Sequence, residues 1–297
     1  MTDIEVLDRV TRVTPIGARF FDAVEQAIVS EGVVVSMWQL NGSPKRQQAI
    51  VNRTGVFVVR GLRGLHEAET GKGDKDYWDH VLTKSYGLEM TDHMRRFLPY
   101  WFETGAPTKG LLRVTCGSPP PNTEAGLPLY SAPSRLVAGH YATVRADLWD
   151  VQHNCPAAWA YAELTANHIL LCEGMADRDG KLAMFFAYPE AVDQFPASPL
   201  QTGIAPRKQS WDVHLTIRYR FKKPVPDIPN LCGDVFGQPQ VPVWQQRGPN
   251  IELTMTKLRA GQELILKTVG KSVGPQVRLT ACTVDLAAAR VDRGGRT

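Results

Sequence analysis

The sequence predicts an all-β protein with tandem β-sandwich domains of prealbumin or immunoglobulin type and a C-terminal β region. Three observations favour this class. An apolar run bounded by turn residues lies at Val51–Leu65, and a strict alternation of apolar and polar residues covers Val213–Phe221. Segments rich in proline and glycine separate the other short apolar runs. Short apolar runs between such turns are typical of sandwiches and barrels.

The first of these runs organises the N-terminal half of the chain. It opens with a turn signal at Asn52 and Gly55 and is interrupted again at Gly61 and Gly64. A short β-branched and aromatic run between turn residues predicts a strand buried on both faces, although length alone does not exclude a buried helical turn. Glycine at the turn positions supplies the positive φ that other residues avoid. We therefore expect Val56–Val58 in the core of the first sandwich.

The segment Arg19–Gly32 is ambiguous between helix and strands. Its apolar residues recur at helical spacing, and Gly32 is a suitable helix C-cap. The run Gly32–Trp38 that follows is strongly β in character, and two strands joined near Ser30–Gly32 explain the segment equally well. The hairpin is the favoured interpretation.

Composition shifts divide the chain into seven parts. Each part is defined by its residue pattern: an arm, two β domains, two connectors, a C-terminal region and a tail. We predict an N-terminal arm at 1–15, a first β-sandwich domain at 16–112, a Pro-rich connector at 113–135, a second β domain at 136–195, a connector at 196–209, a C-terminal β region at 210–289 and a disordered tail at 290–297. The aliphatic residues of the arm recur about every three residues, which suits a short helix or a segment that docks on a neighbouring subunit.

The net charge and the cysteine pattern limit the partners and the cellular compartment that we expect for the protein. A formal charge of +4 over 297 residues does not indicate a nucleic-acid or anionic-membrane partner. The N-terminus is acidic and lacks the apolar region of a signal peptide, and no apolar run is long enough to span a bilayer. The five cysteines are scattered and form no C-x-x-C pair, which predicts reduced thiols and a cytoplasmic location.

The motifs of catalysis and metal binding are not evident. Asp74, Asp76 and Asp79 depart from the calcium-loop pattern because Trp78 stands at its third ligand position. Gly71–Gly73 lacks the remaining residues of a phosphate-binding loop, and the histidines have no metal-ligand spacing. We therefore predict no cofactor, no metal and no enzymatic activity.

The charged loop 71–80 and a later aromatic pair are the candidate interaction sites. Aromatic residues within a charged surround are typical of interface anchors. The candidate interface residues are Asp74, Asp76, Tyr77, Trp78, Tyr100 and Trp101. Exposed aromatic residues also favour an alternative, a carbohydrate-binding β-sandwich module.

Two resemblances add to this interpretation. Asn52–Phe57 followed by Arg60–Gly64 resembles the turn and strand signature of carboxypeptidase-regulatory-like, or prealbumin-like, β-sandwiches. Asp177–Leu182 repeats the first half of that signature, but the second half is missing there. This resemblance implies non-catalytic sandwich domains.

At the level of the whole chain, the sequence resembles an uncharacterised family of structural proteins of bacterial contractile injection systems, which are phage-tail-like machines. The likeness rests on Asn52–Gly64, Arg96–Pro99, Ser131–Arg135 and Val144–Trp149. It implies a non-catalytic subunit, oligomeric within the assembly, that docks to tube, sheath, cap or baseplate proteins. The cap and the baseplate are the expected positions.

Overall fold

The computed structural model describes residues 14–42, 45–66, 69, 82–108, 110–114, 116, 126–189, 209–246, 251–266 and 279–281. The chain divides into two compact units, which are described separately. Unit 1 is Met1–Met94 with Pro99–Leu129, and unit 2 is Arg95–Leu98 with Tyr130–Thr297. No helix in the described ranges is long and apolar enough to cross a membrane.

The described residues of unit 1 form ten strands, most of them short. They are β1 (Gly17–Ala18), β2 (Phe20–Asp22), β3 (Ala27–Val29), β4 (Val33–Gln39), β5 (Gln47–Gln48), β6 (Ile50–Val51), β7 (Phe57–Val58), β8 (Lys84–Asp92), β9 (Tyr100–Ala106) and β10 (Leu127–Pro128). They form three sheets with the strand orders β1-β7-β6, β10-β2-β3 and β5-β4-β8-β9. The four-stranded sheet is antiparallel throughout and has the longest strands.

The run at Val51–Leu65 lies in unit 1 but is not the doubly buried strand that its composition predicts. It contains a two-residue strand, β7, which pairs with β6 across the turn at Asn52–Val56. Phe57 is buried, whereas Val56 and Val58 are half-buried, so the run follows the period-two pattern of a sheet with one covered face. The prediction that Val56 and Val58 are core residues is wrong in this respect. The expected positive φ angles at Gly55, Gly61 and Gly64 are confirmed.

The segment 19–32 is extended, as the favoured hairpin interpretation requires, but its strands pair differently. β2 and β3 form an antiparallel pair whose turn is Ala23–Gln26. Across Ser30–Gly32 the chain instead passes from β3 to β4, which belongs to another sheet and pairs with β8. The apolar residues at helical spacing therefore come from two strands and the turn between them.

Unit 2 contains the remaining strands and one π-helical segment. The strands are β11 (Tyr141–Asp150), β12 (Cys155–Pro156), β13 (Tyr161–Ala166), β14 (Ile169–Met175), β15 (Lys181–Ala187), β16 (Ser210–Arg218), β17 (Gln240–Val241), β18 (Val243–Gln246), β19 (Ile251–Glu252), β20 (Thr256–Arg259), β21 (Leu264–Ile265) and β22 (Leu279–Ala281). The π-helix is Leu231–Phe236, and the Asn230 side chain caps it by accepting hydrogen bonds from the amides of Cys232 and Gly233.

Two sheets share the core of unit 2. In one sheet β11 pairs with β15 and β12 on one side and with β21 and β22 on the other. In the second sheet the order is β14-β13-β16-β17, and β20 also pairs with β16. Alternate residues of β11 and β15 pack with alternate residues of β13 and β16 in one cluster, for example Val144, Met184, Leu164 and Leu215. Both sheets therefore bury one face against the other, which is the arrangement of a β-sandwich.

The alternation predicted for Val213–Phe221 is confirmed within β16, where every second side chain from Trp211 to Ile217 is buried. Together the two units confirm the all-β fold class. Most of the predicted arm, the loop at 71–80, the connector at 196–209 except for Gln209, and the tail at 290–297 lie outside the described residues. The seven-part division of the chain stays a prediction.

Candidate functional site

Four of the six candidate interface residues, Asp74, Asp76, Tyr77 and Trp78, lie outside the described residues. The other two are adjacent on β9 and therefore face opposite sides of the sheet. Tyr100 is fully buried, and its hydroxyl donates a hydrogen bond to the carbonyl of Pro128 at 2.8 Å. Burial raises the pKa of Tyr100 well above its usual range. Tyr100 is thus a core residue of unit 1, and Trp101 is the candidate that lies on the described surface.

Trp101 belongs to the outer face of the four-stranded sheet. On β4, β8 and β9 the inward positions are filled by large apolar side chains such as Met37, Leu88 and Phe102. The outward positions in register with one another are Ser36, Glu89 and Trp101 in one row and Trp38, Gly87 and Glu103 in the next. The two tryptophans thus come from the two strands that flank β8.

Trp38 and Trp101 meet above β8. Their ring centroids are 5.7 Å apart and the ring planes are inclined by 49°. A Cβ on Gly87 would lie 2.4 Å from Cζ2 of Trp38, so the absence of a side chain at this position lets the indole lie against the sheet. Gly87 is itself buried for this reason. Both tryptophans are half-buried and fixed in position by packing.

An ion pair completes this surface. The guanidinium of Arg46 lies over the Trp38 ring, with Cζ 4.7 Å from the ring centroid, and also pairs with the carboxylate of Glu89. Glu89 is only 8% exposed, so the guanidinium of Arg46 compensates a carboxylate that is largely removed from solvent. A cation over a tryptophan face adds an attractive electrostatic contact. We call Trp38, Arg46, Gly87, Glu89 and Trp101 the tryptophan face.

Sequence reasoning found one member of this face and missed the other four. The signal was present in part, since Val33–Gln39 alternates and places Trp38 with the outward residues Val34 and Ser36. The glycine and glutamate of β8 stand two residues apart and therefore share a side of the strand. What the local pattern lacks is the register that brings Trp38, Gly87 and Trp101 together.

Unit 2 contains a small cavity of about 40 Å³. Its walls come from strand ends, the loop after β16 and the π-helix: Cys155, Pro156, Ala158, Trp159, Tyr219, Arg220, Phe221, Lys222, Val225, Pro226, Gly233, Asp234 and Gln238. A volume of this size holds a few water molecules at most. Trp159 is held there at a φ of 59°, and its indole nitrogen donates a hydrogen bond to the carbonyl of Pro226 at 2.9 Å.

A polar cluster beside this cavity has the residue types of a nucleophilic site. Its electrostatic environment, however, does not favour the thiolate that acts as the nucleophile. The carboxylate of Asp150, which is fully buried, lies 2.7 Å from Nδ1 of His153. Burial, followed by the negative charge of Asp150, raises the pKa of the nearby Cys155 thiol. Reactive cysteines need the opposite shift, because the thiolate is the nucleophile. The ring of His153 stacks on Phe221 with centroids 3.8 Å apart, so this cluster ties the loop after β11 to the segment after β16.

The cysteines differ from the sequence-based prediction. Cys116 and Cys232 are disulfide-bonded, whereas Cys155 and Cys172 are free. The expectation that all five cysteines are reduced is therefore wrong for two of them. Cys172 is half-buried, and desolvation raises the pKa of its thiol further from the range of reactive cysteines. In the described part of the chain no group of three or more histidine, cysteine, aspartate or glutamate side chains could hold a metal ion.

No protein-family model and no curated protein matches the sequence. Among solved structures, the chain is similar to the Bacillus anthracis TIE protein with 9% identity and a TM-score of 0.23, covering 90% of this chain and 34% of that one. The chain thus spans about a third of the length of the TIE chain.

Two further solved structures are similar over more of their own length. The shaft pilin SpaA from Lactobacillus rhamnosus GG has 7% identity and a TM-score of 0.21, covering 91% of this chain and 98% of that one. A putative adhesin from Bacteroides ovatus has 12% identity and a TM-score of 0.17, covering 80% of this chain and all of the other. TM-scores this low establish neither a shared topology nor a shared function. The resemblance to injection-system proteins stays a prediction.

Proposed function

We propose that this protein is a non-catalytic structural subunit of a phage-tail-like contractile injection system and docks to other subunits in its cap or baseplate. The observation that carries the proposal is the tryptophan face of unit 1. Tryptophan and arginine are the residues that most often dominate the binding energy of protein interfaces. Here they stand on the outer face of a sheet, a position that polar side chains usually fill.

The face is also rigid before any partner binds. Trp38 packs on Gly87 and against Trp101, while Arg46 is held by Glu89. Side chains that are already ordered lose little conformational entropy on association, which favours affinity. The exposed carboxylate of Glu103 lies in the same row as Trp38 and supplies part of a polar rim.

The chemistry of the described residues supports a non-catalytic role. The thiols of Cys155 and Cys172 both have raised pKa values, which is the opposite of what a catalytic thiol needs. The partners that we propose are other proteins of the assembly, namely tube, sheath, cap or baseplate subunits. Neither nucleic acid nor a cofactor enters the proposal.

The cytoplasmic location remains a proposal, and the disulfides at Cys116 and Cys232 weigh against it. Disulfides persist in oxidising compartments and are rare in the cytosol of mesophiles. Trapping free thiols in intact cells before lysis distinguishes a cytoplasmic location from an oxidising compartment. Labelling of Cys116 and Cys232 without reductant would support the cytoplasm, and protection of both would exclude it.

The proposal is tested in particles purified from a strain that produces variants of this protein. Trp38→Ala with Trp101→Ala removes the anchors, and we expect incorporation to fall by roughly 30-fold because such anchors contribute about 2 kcal/mol or more. Leu136→Ala is the matched control, since Leu136 is 94% exposed and belongs to unit 2. If the double variant were incorporated as well as the wild-type protein, the tryptophan face would not be the docking site.

A second test concerns the loop outside the described residues. Replacing Tyr77 and Trp78 with alanine should leave the fold intact and weaken incorporation if this loop also docks. The assembly role itself would be excluded if deletion of the whole gene left particle length, stability and firing unchanged.

A carbohydrate-binding module is the second candidate, and the same face favours it. Paired tryptophans beside an amide and a carboxylate, here Gln48 and Glu89 in one row with Trp101, are suited to stacking and hydrogen bonding with a sugar ring. Arg46 already covers the Trp38 ring, which leaves Trp101 as the available platform. A glycan array discriminates the two: binding that Trp101→Ala abolishes, with incorporation into particles unchanged, would establish the carbohydrate role.

A further inference from the structure

The sheet β1-β7-β6 of unit 1 has an outer face without polar side chains. Gly17 pairs with Val58, and Val58 pairs with Ile50, so these three residues face the same side of the sheet. Leu111 forms a parallel bridge with Gly17 and extends the row. The inner face is the core side, where Ala18 and Phe57 are buried.

The outward side chains are close to one another. Cγ1 of Val56 lies 3.3 Å and Cδ2 of Leu111 lies 3.4 Å from the position that a Cβ on Gly17 would take. Ile50 is 64% exposed, Leu111 is 37% exposed, and Val56 and Val58 are half-buried. We call Ile50, Val56, Val58 and Leu111 the aliphatic face. A contiguous exposed apolar surface of this kind indicates an interaction site.

Three arginines lie at its border, where the carboxylate of Glu69 also accepts a hydrogen bond from the amide of Gly61. Arg53 stands in the turn between β6 and β7, Arg60 follows Val58 by two residues, and Arg113 follows Leu111 by two residues; all three are exposed. If the aliphatic faces of two copies met, these arginines would oppose one another, which disfavours a symmetric pair. The segment that covers this face should therefore combine aliphatic side chains with carboxylates.

The N-terminal arm of the same chain has this composition. In Asp3–Asp8 the aliphatic residues Ile4, Val6 and Leu7 are interspersed with three carboxylates. Residues 1–13 of the arm lie outside the described residues, and the described chain begins at Thr14, three residues before Gly17 of the face. The six residues from Asp8 to Thr14 reach up to about 20 Å when extended. The face is three strand spacings wide, roughly 14 Å, so the arm is long enough to cover it.

We propose that Asp3–Asp8 covers the aliphatic face of its own unit 1 and thereby shields it from solvent. Ile4, Val6 and Leu7 contact the aliphatic side chains, and the carboxylates face Arg53, Arg60 and Arg113. The short tether gives the arm a high local concentration, which favours its own face over that of another copy. This inference does not depend on the function proposed above.

The first experiment uses the full chain with Ile4, Val6 and Leu7 replaced by asparagine. Uncovering the face should raise the fluorescence of a hydrophobic dye by about twofold or more. Adding Ile50→Lys to the same chain should reverse this increase, because a charge on the face weakens binding of the apolar dye. Ile169→Lys is the matched control, since Ile169 is 66% exposed and lies in unit 2. Unchanged dye binding in the arm variant would overturn the proposal.

The second experiment identifies the occupant directly. Val6→Cys with Ile50→Cys should form a cross-link under mild oxidation within one chain, at a yield independent of protein concentration. The variants Val6→Cys and Ile50→Cys, each made alone, control for cross-links to the free thiols of Cys155 and Cys172. Cross-linked dimers would show that the arm of a second copy covers the face, and no cross-link would show that the arm does not cover it. Either result contradicts the proposal.

Discussion

Asn52 in unit 1 and Asp177 in unit 2 each stabilise a turn, and the two turns have the same geometry. The Oδ1 atom of each accepts hydrogen bonds from the amides two and four residues later, at 2.8 to 3.0 Å. In each turn the backbone amide of the first residue also donates to the carbonyl four residues later, at 2.9 Å. The glycine at the fourth position has a φ of 74° in both. The partial repeat in the sequence is therefore a repeat of backbone geometry and hydrogen bonding.

The two acceptors differ in charge, which predicts a pH effect at Asp177. Burial raises the pKa of Asp177 above its ordinary value, although the amides of Lys181 and Asp179 lower it in part. Because the pKa in the folded state is raised, the protonated carboxyl favours folding. This contribution is present below the ordinary pKa and is lost as the pH rises through the raised one. Asp177→Asn keeps the acceptor without the charge, so it should stabilise the protein at neutral pH and have no effect at strongly acid pH.

Denaturant unfolding of the Asp177→Asn variant over a pH series measures this difference. Asn52→Asp is the matched control, because Asn52 is exposed and a surface charge there should change the free energy of unfolding by only about 0.5 kcal/mol or less. A stability difference for Asp177→Asn that does not vary with pH would contradict the assignment.

The glycine of the second turn is predicted to be less replaceable than other glycines with positive φ. A Cβ on Gly180 would lie 2.3 Å from the carbonyl oxygen of Leu148, whereas nothing lies within 4 Å of a Cβ on Gly61. Both have a positive φ, so each alanine variant loses about 1 kcal/mol from backbone strain. Gly180→Ala should lower the free energy of unfolding, measured by chemical denaturation, clearly more than Gly61→Ala does. The reason is that the carbonyl oxygen of Leu148 must also move. Equal losses would show that β11 shifts without cost.

Phe57 is predicted to contribute more to the stability of unit 1 than its neighbour Val58. Phe57 is 4% exposed and packs edge to face on Phe20 with centroids 5.4 Å apart. Phe57→Ala should reduce the free energy of unfolding by about 3–5 kcal/mol. Val58→Ala is the control and should cost much less, because Val58 is half-buried on the outer face. Amide hydrogen exchange provides a second check, and unprotected amides at Val56–Val59 would contradict this account of the core.

Thiol labelling tests the assignment of the cysteines. Cys116 and Cys232 should react with a thiol reagent only after reduction, because both are disulfide-bonded. Cys172 should react much more slowly in the folded protein than after unfolding, since it is half-buried and the pKa of its thiol is raised. Mass spectrometry of labelled peptides distinguishes these positions. Labelling of Cys116 in the folded, unreduced protein would contradict the disulfide.

Gly87→Ala tests the support of the tryptophan face. The added methyl group would lie within 2.4–2.9 Å of three atoms of the Trp38 ring, so the indole must move away from β8. The aromatic circular dichroism signal should change while the far-ultraviolet spectrum is kept. Gly139→Ala is the control, because nothing lies within 4 Å of its Cβ position. An unchanged aromatic signal would show that the ring is not held against Gly87.

Part of the candidate site was within reach of the sequence. The outward position of Trp38 follows from the alternation in β4. The assignment of Tyr100 and Trp101 to a single exposed surface was not sound, because consecutive residues of a strand face opposite sides. Cys116 and Cys232 are far apart in the chain, so cysteine spacing alone contained no signal for their oxidation.

The sequence by itself determined the fold class and the turns, because both depend on neighbouring residues. Period-two alternation defines β16, and an Asn or Asp followed three residues later by Gly defines the turns at Asn52 and Asp177. Only the tertiary structure decided which strands pair and therefore which side chains share a face. Trp38, Gly87 and Trp101 meet because β8 lies between β4 and β9 in one particular register. A shift of one residue would send each side chain to the other face, and contacts between distant segments of the chain fix that register.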